Sequence, residues 1–120
     1  MRELLRVRDW PYLKTGDKMA KVIFINAEQQ KVEIRETNGL ESLQALVGGM
    51  IEPVHFVKLG GRDLLCVNEE GLYMGFEYGF TLDGNQFVGN GFIGTLEKAD
   101  AKFNPASLVG RLGWLAHQPA

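Results

Sequence analysis

The chain has 120 residues, a mass of 13.4 kDa, 45% hydrophobic and 23% charged residues and a net charge of −2. This is the profile of one folded domain rather than of a disordered, collagen-like or coiled-coil chain. No apolar run exceeds four residues, against the ~20 of a membrane-spanning helix, and a lone Cys66 with two histidines excludes an internal disulfide and a zinc site of Cys and His ligands.

Residues 1–18 carry a net charge of +2 and the rest of the chain −4. The eight basic residues after position 18 are scattered singly, so the basic face that nucleic-acid binding requires is not expected. The first eighteen residues read as an N-terminal extension to a single domain over 19–120. They are either an arm docked through Leu4, Leu5, Val7, Trp10, Tyr12 and Leu13, or the product of a start codon upstream of Met19. They lack the apolar stretch of a secretory signal, and the lone cysteine suits a reducing cytoplasm.

Lys21 to Asn26 is β-branched and apolar on both parities, the pattern of a central strand buried on both faces. After a hairpin loop at Ala27–Gln30, Lys31 to Glu36 alternates, with Val32 and Ile34 turned inward and charged residues outward. Asn38 with Glu41 three positions on is a capping signal, and Leu40, Leu43, Leu46 and Val47 form the apolar stripe of a short helix over Gly39–Val47, stopped by Gly48-Gly49. Val54–Leu59 and Leu64–Asn68 read as a second hairpin around Gly60-Gly61-Arg62-Asp63. Nine glycines fall between Gly60 and Gly94, interleaved with aromatics, so Leu72–Asp83 is expected to be irregular or a single helical turn. Gly84-Asn85 reads as a turn and Gln86–Leu96 as a last strand with bulges. Asn104-Pro105 is a helix start, and Leu108, Leu112 and Leu115 extend it toward the C-terminus. The expected fold is α+β, in the order ββαβββα, with short helices on one face of a mainly antiparallel sheet.

Gly89 to Gly94 matches the dinucleotide fingerprint G-x-G-x-x-G, but too few residues follow for a βαβ unit, and strand bulges are the expected structure. Adjacent Glu69 and Glu70 would converge for acid–base chemistry or a metal ion only across a turn. His55 and Cys66 form a base and nucleophile only if a hairpin sets them side by side; a buried thiol is the alternative. Tyr73, Phe76, Tyr78 and Phe80 either stack a ligand or complete a small core. No catalytic constellation emerges, and neither a cofactor nor a metal is expected.

Three stretches carry a resemblance: Leu43-Gln44-Ala45-Leu46-Val47-Gly48-Gly49-Met50-Ile51-Glu52, then Cys66-Val67-Asn68-Glu69-Glu70-Gly71, and later Gly91-Phe92-Ile93-Gly94-Thr95. Over about residues 20–96 the chain resembles the small domains grouped as domain of unknown function 3846. That resemblance implies a bacteriophage or plasmid protein working in a bacterial cytoplasm. After Asn-Glu-Glu-Gly the family commonly continues into a polar loop with proline and asparagine, whereas Leu72 to Phe80 is aromatic here, so the function of that loop does not transfer.

The expected function is that of a non-enzymatic mobile-element accessory protein in host–phage interaction, an anti-defence inhibitor that binds a bacterial host protein. The alternative is sequestration of a small ligand or nucleotide signal. The candidate binding residues are Asn68, Glu69, Glu70, Tyr73, Phe76, Tyr78 and Phe80. Because every strand and helix signal begins at or after Ala20, a chain starting at Met19 is expected to unfold in one cooperative transition. A broad, non-cooperative melt followed by circular dichroism would instead make residues 1–18 part of the core.

Overall fold

In the computed structural model, which describes residues 20–95 and 99–115, the KVIFIN segment lies in strand β1, Ala20–Asn26. The predicted extension, 1–18, lies outside the described residues. Strand β1 is central, paired on one side with β2, Lys31–Thr37, in an uninterrupted antiparallel register from Ala20↔Thr37 to Asn26↔Lys31. The connecting turn is the expected one; Asn26 Oδ1 accepts the Gln29 N–H and Gln30 turns to φ 54°. One detail of β2 differs. Ile34 is 54% exposed, because β2 is the outermost strand of its sheet and Ile34 lies opposite Ile23, which is itself covered.

Helix α1, Leu40–Val47, buries Leu40, Leu43 and Val47 and ends at Gly48 in the left-handed conformation. There the Gly48 and Gly49 N–H groups both reach the Gln44 carbonyl, a glycine stop that a Cβ-bearing residue would strain. At the other end the predicted cap moves by one residue. Gly39 is the N-cap and has no capping side chain. The Ser42 hydroxyl takes up the slack by accepting the Asn38 N–H and donating to the Asn38 carbonyl.

The second hairpin begins earlier than its sequence suggests. Strand β3 is Ile51–Val54 and pairs with β4, Leu64–Asn68, so Pro53 lies inside a strand opposite Cys66. An edge strand tolerates proline because its missing N–H can face outward, and β3 is the edge. His55 and Phe56, predicted in the strand, are exposed beyond its end.

The aromatic and glycine-rich segment departs most from expectation. It forms a 3₁₀ turn at Gly71–Tyr73 and then two strands, β5, Gly79–Leu82, and β6, Asn85–Val88. Their two-residue link is Asp83-Gly84, one position before the predicted turn, with φ of 53° and 83°. Positive φ at both central residues is the geometry that suits tight hairpins. Strand β7, Gly91–Gly94, is therefore separate from β6 and joins the other sheet. The predicted C-terminal helix is absent among the described residues. Asn104 does cap a turn, accepting the Ala106 N–H, but Pro105–Leu108 is a short 3₁₀ turn, Gly110 takes φ 84°, and Leu112–Trp114 forms strand β8.

The chain is thus sheet-rich and antiparallel, with one short α-helix among the described residues, and the order ββαβββα is not what it builds. A five-stranded sheet runs β2-β1-β7-β4-β3 and a three-stranded sheet β6-β5-β8. Helix α1 packs on one face of the large sheet through Val22, Ile51, Cys66 and Phe92. The small sheet packs on the other through Ile23, Ile25, Leu65, Ile93, Phe80 and Leu82. Arg111 fastens the small sheet to the β3–β4 connection, gripping both Asp83 carboxylate oxygens at 2.7 and 2.6 Å and donating to the Lys58 carbonyl. The guanidinium holds the Asp83 carboxyl below its ordinary range.

Phe80 is fully buried because β7 makes room for it. A Cβ on Gly91 would lie 2.9 Å from Phe80 Cζ and 3.1 Å from the Cys66 carbonyl oxygen. Gly91→Ala is therefore expected to destabilise the fold by about 1–3 kcal/mol through overpacking, read as a lower denaturant midpoint. An unchanged midpoint would mean that the ring is not seated against that strand.

Candidate functional site

The end of β4 brings the Asn-Glu-Glu-Gly turn against the small sheet. Asn68 is buried and has two bonds: its Nδ2 donates to the Val47 carbonyl at 3.0 Å, and its Oδ1 accepts the Glu70 N–H at 2.7 Å. It thus satisfies a carbonyl at the C-terminal end of α1 and shapes the turn at the same time. Gly49 leaves the space it occupies, since a Cβ there would lie 3.0 Å from Asn68 Nδ2. The Glu69 N–H donates to the Met50 carbonyl, extending the β3–β4 ladder by one step, and the Tyr73 N–H donates to the Glu70 carbonyl. Gly71 sits so close to β6 that a Cβ would come within 2.8 Å of the Val88 carbonyl oxygen. The turn is held on both sides.

What the turn presents is a cleft of about 350 Å³ between the β3–β4 end and β6. Glu52, Glu69, Tyr73, Leu72, Gln86 and Phe87 line it. Glu70 is exposed beside it. Along the rim Leu72 is 80% and Tyr73 83% exposed, and Met74 follows at 49%. Phe56, 64% exposed, stacks on Phe87 with centroids 6.3 Å apart and planes at 18°. Phe87 in turn meets Phe80 at 5.2 Å, so an aromatic row leads from the surface into the core.

The sequence-derived candidates separate accordingly. Glu69 and Tyr73 share the cleft with Asn68, whose side chain is committed to the turn. Phe80 is buried and packs the core, because its side of β5 faces the large sheet. Phe76 packs against Gly48 and Gly89 and pairs with Tyr78 at 5.4 Å, joining the end of α1 to the β6–β7 connection. Burial, and then the Glu28 carboxylate, push the Tyr78 phenol above its ordinary range. Glu52, Phe56, Leu72 and Phe87 were not anticipated. Leu72 had a signal, an apolar residue directly after a polar turn and outside any periodic stripe; Glu52 joins Glu69 only through a strand register that the sequence does not spell out.

The other chemical candidates come apart. Cys66 lies opposite Pro53 and is fully buried, and that burial pushes its thiol strongly up, so it stays protonated. His55 stands exposed past the end of β3, and the two are not set side by side. Gly89 to Gly94 runs from a turn into a central strand, not from a strand into a helix. Among the described residues no group of three or more His, Cys, Asp or Glu could hold a metal ion, and no helix is long and apolar enough to cross a membrane.

Asn68→Ala is expected to cost about 1–3 kcal/mol, since it strands a buried carbonyl and releases the turn. Tyr73→Ala is expected to stay within about 0.5 kcal/mol, as an exposed side chain should. Urea denaturation of both variants checks this, and equal losses would make Tyr73 a structural residue.

Over residues 19–108 the chain matches the family described as Domain of unknown function (DUF3846), and it belongs to that family. No curated protein and no solved structure matches it.

Proposed function

We propose that this α+β member of the family works by binding another protein, through the ridge Leu72-Tyr73-Met74 and the cleft beside it. The observation that carries the reading is an exposed apolar ridge on a turn that is itself tightly fixed. Leu72 and Tyr73 project from backbone held by Asn68, Gly71 and the Glu70 carbonyl. Large side chains exposed on a rigid support cost little to order on binding, and tyrosine is among the residues that dominate interface energies. Phe56, stacked on Phe87, extends the apolar surface. Glu52 and Glu69 line the cleft, and this acidic character favours a partner that presents a basic surface around its apolar side chains. In the mobile-element setting that the sequence resemblance implies, the partner is a bacterial host defence or regulatory protein, and binding inhibits it.

The test compares material that copurifies with the wild-type chain and with a Leu72→Ala/Tyr73→Ala variant from bacterial cells, followed by titration of the purified partner. One protein should be enriched by the wild type. The double variant should bind it at least tenfold more weakly, about 1.4 kcal/mol, with an unchanged melting temperature. Binding should also weaken as salt is raised. Equal binding by the double variant, or copurification of a small molecule in place of a protein, would overturn the reading.

A further inference from the structure

The two edges of the five-stranded sheet are built differently. Strand β3 is short and carries Pro53, and proline on an edge discourages further pairing. Strand β2, at the opposite edge, runs seven residues with no proline, no glycine and no bulge in its register with β1. Among the described residues no strand covers its outer side, and the exposed Ile34 stands at its midpoint.

The direction of the β2 backbone follows from β1. The Lys21 N–H donates to Asp100 Oδ1 and the Lys21 carbonyl accepts the Ala101 N–H, so Lys21 turns its backbone away from β2. Because the two kinds of pair alternate along an antiparallel ladder, Ile23 and Ile25 do the same. Their partners Val32 and Ile34, with Glu36 opposite Lys21, therefore point their own N–H and carbonyl groups outward. Charged side chains often deter edge pairing, but here their order matters. Lys31, Glu33 and Arg35 share the other face of the strand, with Glu33 bridging its two neighbours at 3.2 and 2.9 Å. Laid antiparallel on a second β2, with Ile34 opposite Ile34, each Glu33 meets the Arg35 of the other copy and the in-strand pairs extend across the junction. A two-residue slip either way sets Glu33 against Glu33 or Arg35 against Arg35, and like charges directly opposite are destabilising.

We propose that the chain forms a two-fold symmetric dimer through β2, centred on Ile34, which joins two five-stranded sheets into one. In this register the outward groups of Ile34 bond to those of its counterpart, and those of Val32 to Glu36. Glu33 and Arg35 then fall at the positions where opposed side chains approach most closely. The strand is its own complement in shape, bonding and charge, which a two-fold contact requires. The junction lies at the edge of the sheet opposite β3, whose end carries the cleft. A dimer therefore displays two copies of the Leu72-Tyr73-Met74 ridge.

Sedimentation equilibrium of the full chain over roughly 1–500 µM, a span that covers micromolar affinities, should show the mass rise from 13.4 kDa to twice that value. Amide exchange at Val32, Ile34 and Glu36 should slow as the dimer fills. Glu33→Arg alone and Arg35→Glu alone place like charges opposite each other, and each should associate at least tenfold more weakly. An equimolar mixture of the two restores opposite charges across the junction and should form a mixed dimer near wild-type affinity, which unfolded chains could not do. Ile34→Lys, at an exposed position, should be monomeric with the wild-type melting temperature and tests the contact without the charge pair. The Leu72→Ala/Tyr73→Ala variant should dimerise normally, which separates failure here from failure of the protein-binding reading. A wild-type chain that stays monomeric throughout, a dimer undiminished by Ile34→Lys or by either charge reversal, or no association in the mixture of folded variants would each overturn the proposal.

Discussion

Phe80 occupies the space that a side chain at position 91 would need, and the rest of the architecture follows from that fit. The ring belongs to β5 of the small sheet and the glycine to β7, near the middle of the large one. Close approach at this point lets Leu82, Ile23, Ile25, Leu65 and Ile93 share one apolar core. Burial of such side chains contributes roughly 1.5–3 kcal/mol each, and a gap between the sheets would forfeit much of it. The Phe80–Phe87–Phe56 row carries the same packing outward, so the surface beside the cleft is continuous with the core.

Asn68 does for the opposite layer what Gly91 does for this one. It stands where β4 ends, α1 ends and the acidic turn begins, and a single amide serves all three. The polar character of Asn-Glu-Glu-Gly is therefore divided. Asn68 is architecture, whereas Glu69 and Glu70 take their positions from backbone bonds, Glu69 lining the cleft and Glu70 exposed beside it. Reading the motif as one functional unit would miss this division.

How much was legible depended on how local the determining forces are. The buried central strand, its hairpin partner and the helix with its glycine stop follow from periodicity and from conformations that only glycine adopts easily, and all three appear where the sequence places them. The second hairpin was displaced because Pro53 reads as a strand boundary, and only the position of β3 at a sheet edge makes it harmless. Leu108, Leu112 and Leu115 have helical spacing, but Gly110 and Gly113 intervene, and pairing with β5 decides the outcome in favour of a strand. Aromatic residues between glycines gave no periodic signal at all. Their division between core, as for Phe80, and surface, as for Tyr73, is set by which sheet each faces. Of the candidate site, the acidic turn and Tyr73 could be named from sequence; the partners across the cleft could not, because they meet only after the two sheets stack.

The position of β7 has a consequence for how the chain reaches this state. It is the middle strand of the five but the last of them in the sequence, and its Ile93 must find both Ile23, seventy positions earlier, and Leu65. The two hairpins that flank it can form from local contacts as soon as they are synthesised. Until β7 slots between them, β1 and β4 each display an unpaired apolar edge, the kind of surface that recruits strands from other molecules. Long-range closure of this type is slow relative to hairpin formation. A chain interrupted before Gly91 is therefore left as two adhesive half-sheets, and the short segment Gly-Phe-Ile-Gly acts as the keystone that joins them into one five-stranded sheet.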